Sequence, residues 1–570
     1  MRVPSGVRRA LAFVCLLAGT FTGAGALSFW DETPDAILRE QLLDAMTPEE
    51  LIAQTLMVGW LGEPPSAEVL EWIDTTNLGG VKIFGWNGGN LVRLAQTLGE
   101  MQDRARAHRL EIPLITATDQ EGGWVRHVKG GGDLTTLITP GNMAIGASAL
   151  PYDAYRSAYY IGMELRALGI NMNFAPTIDV YINPEAHVIG PRAFSGDPIQ
   201  SGVLGAAFYH GLEEARVIAT AKHFPGHGNA ADDSHGVLPV LSETYEELDA
   251  RDLVPFRFLI GEGVPAILSG HLNFPNVSND GRPASLSRYF KQDILRERLG
   301  FGGLIITDDL YMGGAWEYGA DQDWGIEEIV IEALRVGNDM VMLSETPPPG
   351  GPLWTRLLEI YENDEAFRSQ IRTAASNVIQ LKLDYIKPDD RVPLNPDVEA
   401  LDALMSPERA RQFFRDQAGR SVTVVGDESI PYEPADGERI LLAGKDRDFL
   451  RIGSEFLPQA DSYRIAGTRF AGADASQIRD LRARVTGYDT IIFCLSDPNT
   501  MELAKALEGT DANIIVFSIL TPVYLGELPW VTSSLAVYGW GEESFRAGYS
   551  VLLGRADSRG TMPVKLGAAQ

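Results

Sequence analysis

At 570 residues the chain is too long for a single hydrophobic core, so two or three domains are expected. Apolar residues make up 45% of it, an ordinary share for a globular protein and enough to build a large core. A formal charge of -29 argues against nucleic acid or anionic membrane surfaces as partners, because both repel a polyanion.

Residues 1–26 read as a secretory signal. Arg2, Arg8 and Arg9 form a positive start, Ala10 to Ala18 an apolar stretch, and Ala24-Gly25-Ala26 a small-residue cleavage site. The apolar stretch is short for a membrane span. Cys15 within it is a poor lipoprotein signal, and the Arg8-Arg9 pair alone does not establish twin-arginine export. The expectation is an exported protein, periplasmic or extracellular, with no membrane attachment after cleavage. Cleavage leaves Cys494 as the one cysteine, so no intrachain disulfide can form and stability must come from packing. Cys494 sits in the run Ile491-Ile492-Phe493-Cys494-Leu495 and is expected to be an inert core thiol on a strand.

Eight short apolar runs follow, each succeeded by a longer helix-like stretch. They are Leu56–Gly59, Gly80–Phe84, Pro113–Thr118, Asn171–Ala175, Val217–Ala221, Ala266–Ser269, Gly303–Thr307 and Asp339–Leu343. Near-continuous apolar strands alternating with helices predict a parallel sheet covered on both faces. Eight of them fit a TIM-type (β/α)8 barrel, although a doubly wound sheet shares the alternation. Polar residues favour the barrel: Asp119, Asp179, Lys222-His223, His271 and Asp308 each stand at the C-terminal end of one run. In a barrel those ends ring one mouth, where active sites lie. The catalytic barrel is expected over 35–385 and a proline-rich linker over 386–400. A smaller α/β sandwich is expected over 401–570, with strands at Arg439–Ala443, Thr490–Cys494, Asn513–Phe517 and Ser534–Tyr538.

Two polar knots carry the chemistry. One is Lys222-His223-Phe224-Pro225-Gly226-His227-Gly228, followed by Asp233-Ser234-His235; its proline and glycines keep it from being a helix. The other is Thr307-Asp308-Asp309 at a strand end. A strand-end carboxylate can attack an anomeric carbon, and a histidine can protonate the leaving oxygen and later deprotonate water. Asp233, two residues before His235, is available to orient its imidazole. Asp308, Asp233 and His235 thus form a self-consistent retaining set, in which the histidine replaces one of the usual two carboxyls. Taken without context, Asp308 reads equally well as a helix N-cap. The spacing of His223, His227 and His235 lacks a rigid helical face, so no metal site is expected, and no cofactor.

These residues resemble family 3 glycoside hydrolases, in the β-N-acetylhexosaminidase branch. The likeness rests on the Lys222–Gly228 run with Asp233-Ser234-His235, on Asp119-Gln120-Glu121-Gly122-Gly123, on Asn173-Phe174-Ala175-Pro176 with Asp179, and on Thr307-Asp308-Asp309-Leu310 with Met312. The ending Gly554–Val564 is similar to the close of the family's second domain. The resemblance implies Asp308 as nucleophile, His235 with Asp233 as acid/base, and Asp119, Arg192, Lys222 and His223 as hydrogen-bond partners of the terminal sugar. Read on their own, Asp309 is a supporting or helix-capping carboxylate, Asp179 a structural or supporting one, His227 a shaper of the loop, and His271 open between pocket and core. Two arginines of the family pattern are here Trp124 and His127. The expected activity is that of an exo-acting β-N-acetylglucosaminidase on carbohydrate. A β-glucosidase, a glycoside phosphorylase and a non-catalytic saccharide-binding protein stand as rivals. Natural substrate and oligomeric state are not legible.

Overall fold

The structure is a computed structural model describing residues 27–467 and 472–567. The signal-sequence reading of residues 1–26 falls outside the described residues. Eight parallel strands close into a barrel: β1 Leu56–Gly59, β2 Gly80–Ile83, β3 Ile115–Thr118, β4 Met172–Asn173, β5 Ile218–Phe224, β6 Ala266–Ser269, β7 Leu304–Asp309 and β8 Met340–Leu343. Neighbours in sequence are neighbours in the ring, and β8 closes on β1 through Leu56↔Val341. The TIM-type expectation holds, and the doubly wound alternative falls.

Strand alternation divides the apolar residues between two faces. Met57, Ile115, Ala117, Leu268, Ile306, Met340 and Met342 pack together in one cluster, while Val58, Val81, Ile83, Ile267, Ile305 and Val341 pack with the helical layer in another. The first is the filled interior of the barrel and the second the seam beneath its helices. Strand β4 is shorter than the Asn171–Ala175 expected from the sequence. Asn173 explains this: its side chain accepts from Gln120 N at 2.9 Å and donates to Gln120 O at 3.0 Å, taking over the backbone partner that a longer strand would use.

Two pairings slip by one residue, both at the C-terminal rim. Between β5 and β6, Ala221 faces Ile267 but Phe224 faces Ser269, so the extra residue falls within Lys222-His223. Between β7 and β8, Ile306 faces Met340 but Asp309 faces Met342, so the extra residue falls within Thr307-Asp308. Such bulges re-aim side chains, and here they occur where the polar knots of the sequence begin.

Beyond helix Glu365–Tyr385 the stretch 386–400 carries no helix or strand and lies against the barrel, where Arg166 donates to Asp390 O at 2.8 Å. Then comes a six-stranded sheet: β9 Thr423–Asp427, β10 Ile440–Gly444, β11 Asp461–Arg464, β12 Thr490–Leu495, β13 Asn513–Ser518 and β14 Ser533–Ala536. Its order is β9-β14-β13-β12-β10-β11, parallel except for the antiparallel β9. The strands absent from the sequence reading, β9 and β11, are the two edges; Asp461-Ser462-Tyr463-Arg464 has no apolar run to betray it. Cys494 is buried on β12, as read. Among the described residues no helix is long and apolar enough to cross a membrane.

Gly228 ties the loop after β5 to the one after β4. A Cβ at this position would lie 2.0 Å from Val180 O. Gly228→Ala is therefore expected to cost about 1–3 kcal/mol in urea unfolding, the range of overpacked sites. Gly236→Ala, whose Cβ would meet nothing nearer than Asp233 O at 3.8 Å, is expected to stay within about 0.5 kcal/mol of the parent.

Candidate active site

The barrel mouth is built on a chain of buried ion pairs. Lys222, on β5, reaches Asp119 Oδ1 at 2.5 Å and Glu121 Oε1 at 2.6 Å. The other Asp119 oxygen takes Lys82 Nζ, from the middle of β2, at 2.7 Å. Arg192 grips Glu121 with two bonds, Nε to Oε2 at 2.9 Å and Nη2 to Oε1 at 2.8 Å. The same Nη2 lies 3.1 Å from His223 Nε2, and His223 Nδ1 lies 2.7 Å from Asp179 Oδ2. With Nδ1 donating to Asp179, Nε2 accepts from Arg192. Asp179 also accepts from His227 N at 2.7 Å, so one carboxylate orients the histidine and anchors the loop that follows it.

Burial works against every one of these carboxylates, and the cations outweigh it. Desolvation would raise Asp119, but Lys222, Lys82 and His127 hold it well below the usual carboxylate range. Glu121, equally desolvated, is brought down to about 2 by Arg192 and Lys222, and Asp179 to about 2 chiefly by His223. Asp308, on β7, follows the same logic: burial opposes ionisation, and His223, His271, His235 and Lys222 together keep it below its ordinary value. It is an anion in a positive potential at a strand end.

Asp233 and His235 are built differently. They lie on the loop after β5 with side chains 55% and 65% exposed, joined by a 2.6 Å contact between Asp233 Oδ1 and His235 Nδ1. The same oxygen accepts from His235 N at 3.0 Å, fixing the ring to its carboxylate. The Asp233 hydrogen bond raises the imidazole pKa against desolvation, and Asp308 adds to the rise. This leaves Nε2 as the ring nitrogen free of Asp233.

All seven sequence-derived site residues meet at this rim: Asp119, Lys222, His223, Arg192 and Asp308 in the buried network or its field, and Asp233 with His235 on the loop above it. Asp309 turns away; its Oδ1 accepts from Ser344 N and Tyr311 N at 2.9 and 3.1 Å. His271 is a core histidine, 2.7 Å from Ser285 Oγ through Nδ1 and 2.9 Å from Asp309 O through Nε2. His227 is buried against Ser234 Oγ at 3.1 Å and pushed down to about 4 by burial, a neutral wedge inside the loop. Three participants escaped the sequence reading: Lys82, Glu121 and His127. Lys82 carries a signal in hindsight, a lysine inside the apolar strand Gly80-Val81-Lys82-Ile83, which must find an anion if buried. His127, in the place of an expected arginine, lies 3.4 Å from Lys82 Nζ and 3.6 Å from Asp119 Oδ2, and burial takes it to about 4. Among the described residues no group of three or more His, Cys, Asp or Glu side chains could hold a metal ion.

The fold and this rim define a TIM-barrel enzyme. Residues 47–381 match the model of the glycosyl hydrolase family 3 N-terminal domain, and the chain belongs to that family. Curated relatives that it matches are beta-hexosaminidases. The Beta-hexosaminidase A of Pseudoalteromonas piscicida is 35% identical over 294 residues, covering 49% of this chain and 48% of the relative, so the chain spans about half the length of that protein. The Beta-hexosaminidase of Methylococcus capsulatus is 33% identical over 330 residues, covering 58% of this chain and 92% of the relative. A solved family 3 beta-N-acetylglucosaminidase from Paenibacillus sp. str. FPU-7 superimposes with a TM-score of 0.74 at 26% identity, covering 92% of this chain and all of the other.

Glu121 gives the network a pH signature. Its folded pKa of about 2 lies below the usual 4.5, so its stabilisation is complete above the latter and drains away as pH falls between the two. Glu121→Gln, which leaves Arg192 and Lys222 short of an anion, is expected to be less stable than the parent at pH 7. Denaturant titrations should show the gap narrowing toward pH 3.

Proposed function

We propose that the protein is an exo-acting, retaining β-N-acetylglucosaminidase that removes terminal GlcNAc from β-linked oligosaccharides, through a covalent glycosyl-enzyme on Asp308. The observation that carries the reading is the contrast between a buried Asp308 held below its ordinary pKa and an exposed His235, tied to Asp233, raised above its own, the two in each other's field. A retaining glycosidase needs those two states side by side.

In the first step an Asp308 oxygen bonds to the anomeric carbon while the glycosidic C–O bond breaks. His235 Nε2 gives its proton to the departing oxygen, and Asp233 steadies the histidine throughout. In the second step water adds to the anomeric carbon, His235 takes its proton, and the Asp308 ester bond breaks to free the sugar. Asp119, Arg192, Lys222 and His223 hold the terminal sugar's hydroxyls. Every cation in that group already faces a carboxylate or carboxylate-bound partner, a setting for a neutral sugar rather than an anionic one. The barrel over 35–385 is the catalytic domain and 401–570 the second, joined by the linker at 386–400. The signal-like start supports an exported enzyme acting on peptidoglycan fragments or chitin oligomers outside the cytoplasm.

Aryl β-GlcNAc and aryl β-glucoside, each with and without phosphate, test the reading through their products. Phosphate-independent release of free GlcNAc is expected; glucoside preference, sugar phosphate or no turnover would each overturn it. Asp308→Asn is expected to lower turnover at least about 10⁴-fold, as loss of an attacking group does. Because Asp233 raises the His235 pKa, Asp233→Asn is expected to move the alkaline limb of the kcat/KM profile to lower pH. An unmoved limb would assign that limb to another group.

A further inference from the structure

The second domain packs against both segments that carry the Glu121–Arg192 pair. Arg192 ends a short 3-10 turn, Gly190–Arg192, in the loop between β4 and helix Pro198–Glu214. Around it Tyr181, Ala186, Ile189 and Ala193 are buried in one apolar cluster with Val523, Tyr524, Leu525 and Val564 of the second domain. One residue later Phe194 belongs to the barrel core instead. The chain passes from one core to the other beside Arg192.

Polar contacts seal the same crossing. Pro563 O accepts from Ser195 Oγ at 2.8 Å and from Gly196 N at 3.0 Å, and the Tyr524 hydroxyl lies 3.3 Å from His187 Nδ1. Asn142 holds Arg192 O at 2.8 Å from helix Asn142–Ser148, whose Met143, Ala144 and Ala147 enter the shared cluster as well. Glu121 is approached from another side. Its hairpin, Gln120–Gly122 with Val125–Arg126, turns through Trp124, and Trp124 packs against the second-domain cluster of Val422, Phe449, Phe517 and Phe545. The hairpin also rests on Thr139, whose Oγ1 accepts from Gly123 N at 2.9 Å. A Cβ on Gly539 of the second domain would lie 3.1 Å from Pro140 O, so that support is itself backed by the second domain.

We propose that the second domain is the brace that sets Arg192 against Glu121, with Tyr524, Ser195 and Trp124 as positioning residues for sugar binding. The inference rests on the reading of Arg192 as a sugar contact and assigns the second domain a part in substrate affinity without placing any of its residues on the substrate. A rigid backing matters because a guanidinium bonded in two places is useful only at one position and angle.

The test is a double-mutant cycle on the full chain. Tyr524→Phe removes one cross-domain hydrogen bond, and Ser195→Ala removes another together with the 3.0 Å bond that the same hydroxyl accepts from Asp197 N, each with little change of volume. Each is expected to raise KM for aryl β-GlcNAc about fivefold, the range of one such bond, with kcat nearly unchanged because binding is lost equally in ground and transition states. In an Arg192→Ala background neither should raise KM further. Calorimetric titration with GlcNAc should follow the same pattern. Losses that add fully to that of Arg192→Ala, or a fall in thermal midpoint with KM unmoved, would overturn the brace and leave a merely structural interface. A parent chain that neither binds nor releases GlcNAc would overturn the glycosidase reading, and this inference with it.

Discussion

A single buried ammonium, Lys222 Nζ, sits between two carboxylates from the loop after β3, Asp119 and Glu121. Taking three charges out of water costs more than any one pair returns, so the arrangement holds only as a connected set. Lys82 completes Asp119 and Arg192 completes Glu121, leaving each charge with a partner in reach. The rest of the mouth depends on that set. Through Arg192 it reaches His223, and through His223 it reaches Asp179 and the backbone of His227. A network of this kind stabilises the fold weakly for what it costs, but it fixes side chains to one geometry, which a sugar with several hydroxyls requires.

Much of this is legible in the sequence. The barrel strands announce themselves because each is buried on both faces and reads as an apolar run, and Leu56–Gly59 and Ala266–Ser269 coincide with the observed strands residue for residue. Edges do not announce themselves: β11 is Asp461-Ser462-Tyr463-Arg464, half in solvent, with nothing periodic to find. The polar knots stand out because lysine, histidine and aspartate gather where apolar runs end; Lys222 and His223 prove to lie in the buried C-terminal end of β5, and Pro225 and Gly226 end the strand after Phe224. What stayed hidden were residues whose role is set by distant partners. Glu121 lies 71 positions from Arg192, and Lys82 lies 37 from Asp119, so neither pairing has a local signature. The bulges at Lys222-His223 and Thr307-Asp308 are likewise products of pairing, since register is a property of two strands.

The departures from the family pattern acquire physical sense in the same frame. His127 stands where an arginine was expected, beside a lysine and a carboxylate already paired with each other. As a neutral imidazole it can accept from Lys82 without adding a charge to a site that holds enough of them. Trp124, in place of the other arginine, gives up charge for apolar area and packs against the second domain. Both substitutions exchange a long cation for a ring, one to keep the electrostatics balanced and one to join two domains.

The division of labour between buried pocket and exposed loop follows from what protons need. Asp119, Glu121 and Asp308 are held ionised by neighbouring cations and by histidines; no plausible change of neutral pH would protonate them, so none can deliver a proton to a leaving group. An acid that gives a proton to the leaving oxygen in one step and takes one from the attacking water in the next has to be open to that water. It also needs a pKa near ambient pH rather than far below it. A histidine whose side chain is 65% exposed is open to water, and the carboxylate two residues away moves its pKa up, away from the depressed range of the buried carboxylates. Burying Asp233-His235 in the network below would tie it to permanent charges and remove the freedom to switch. In the proposed mechanism the loop carries the proton, because the carboxylates of the pocket are held ionised.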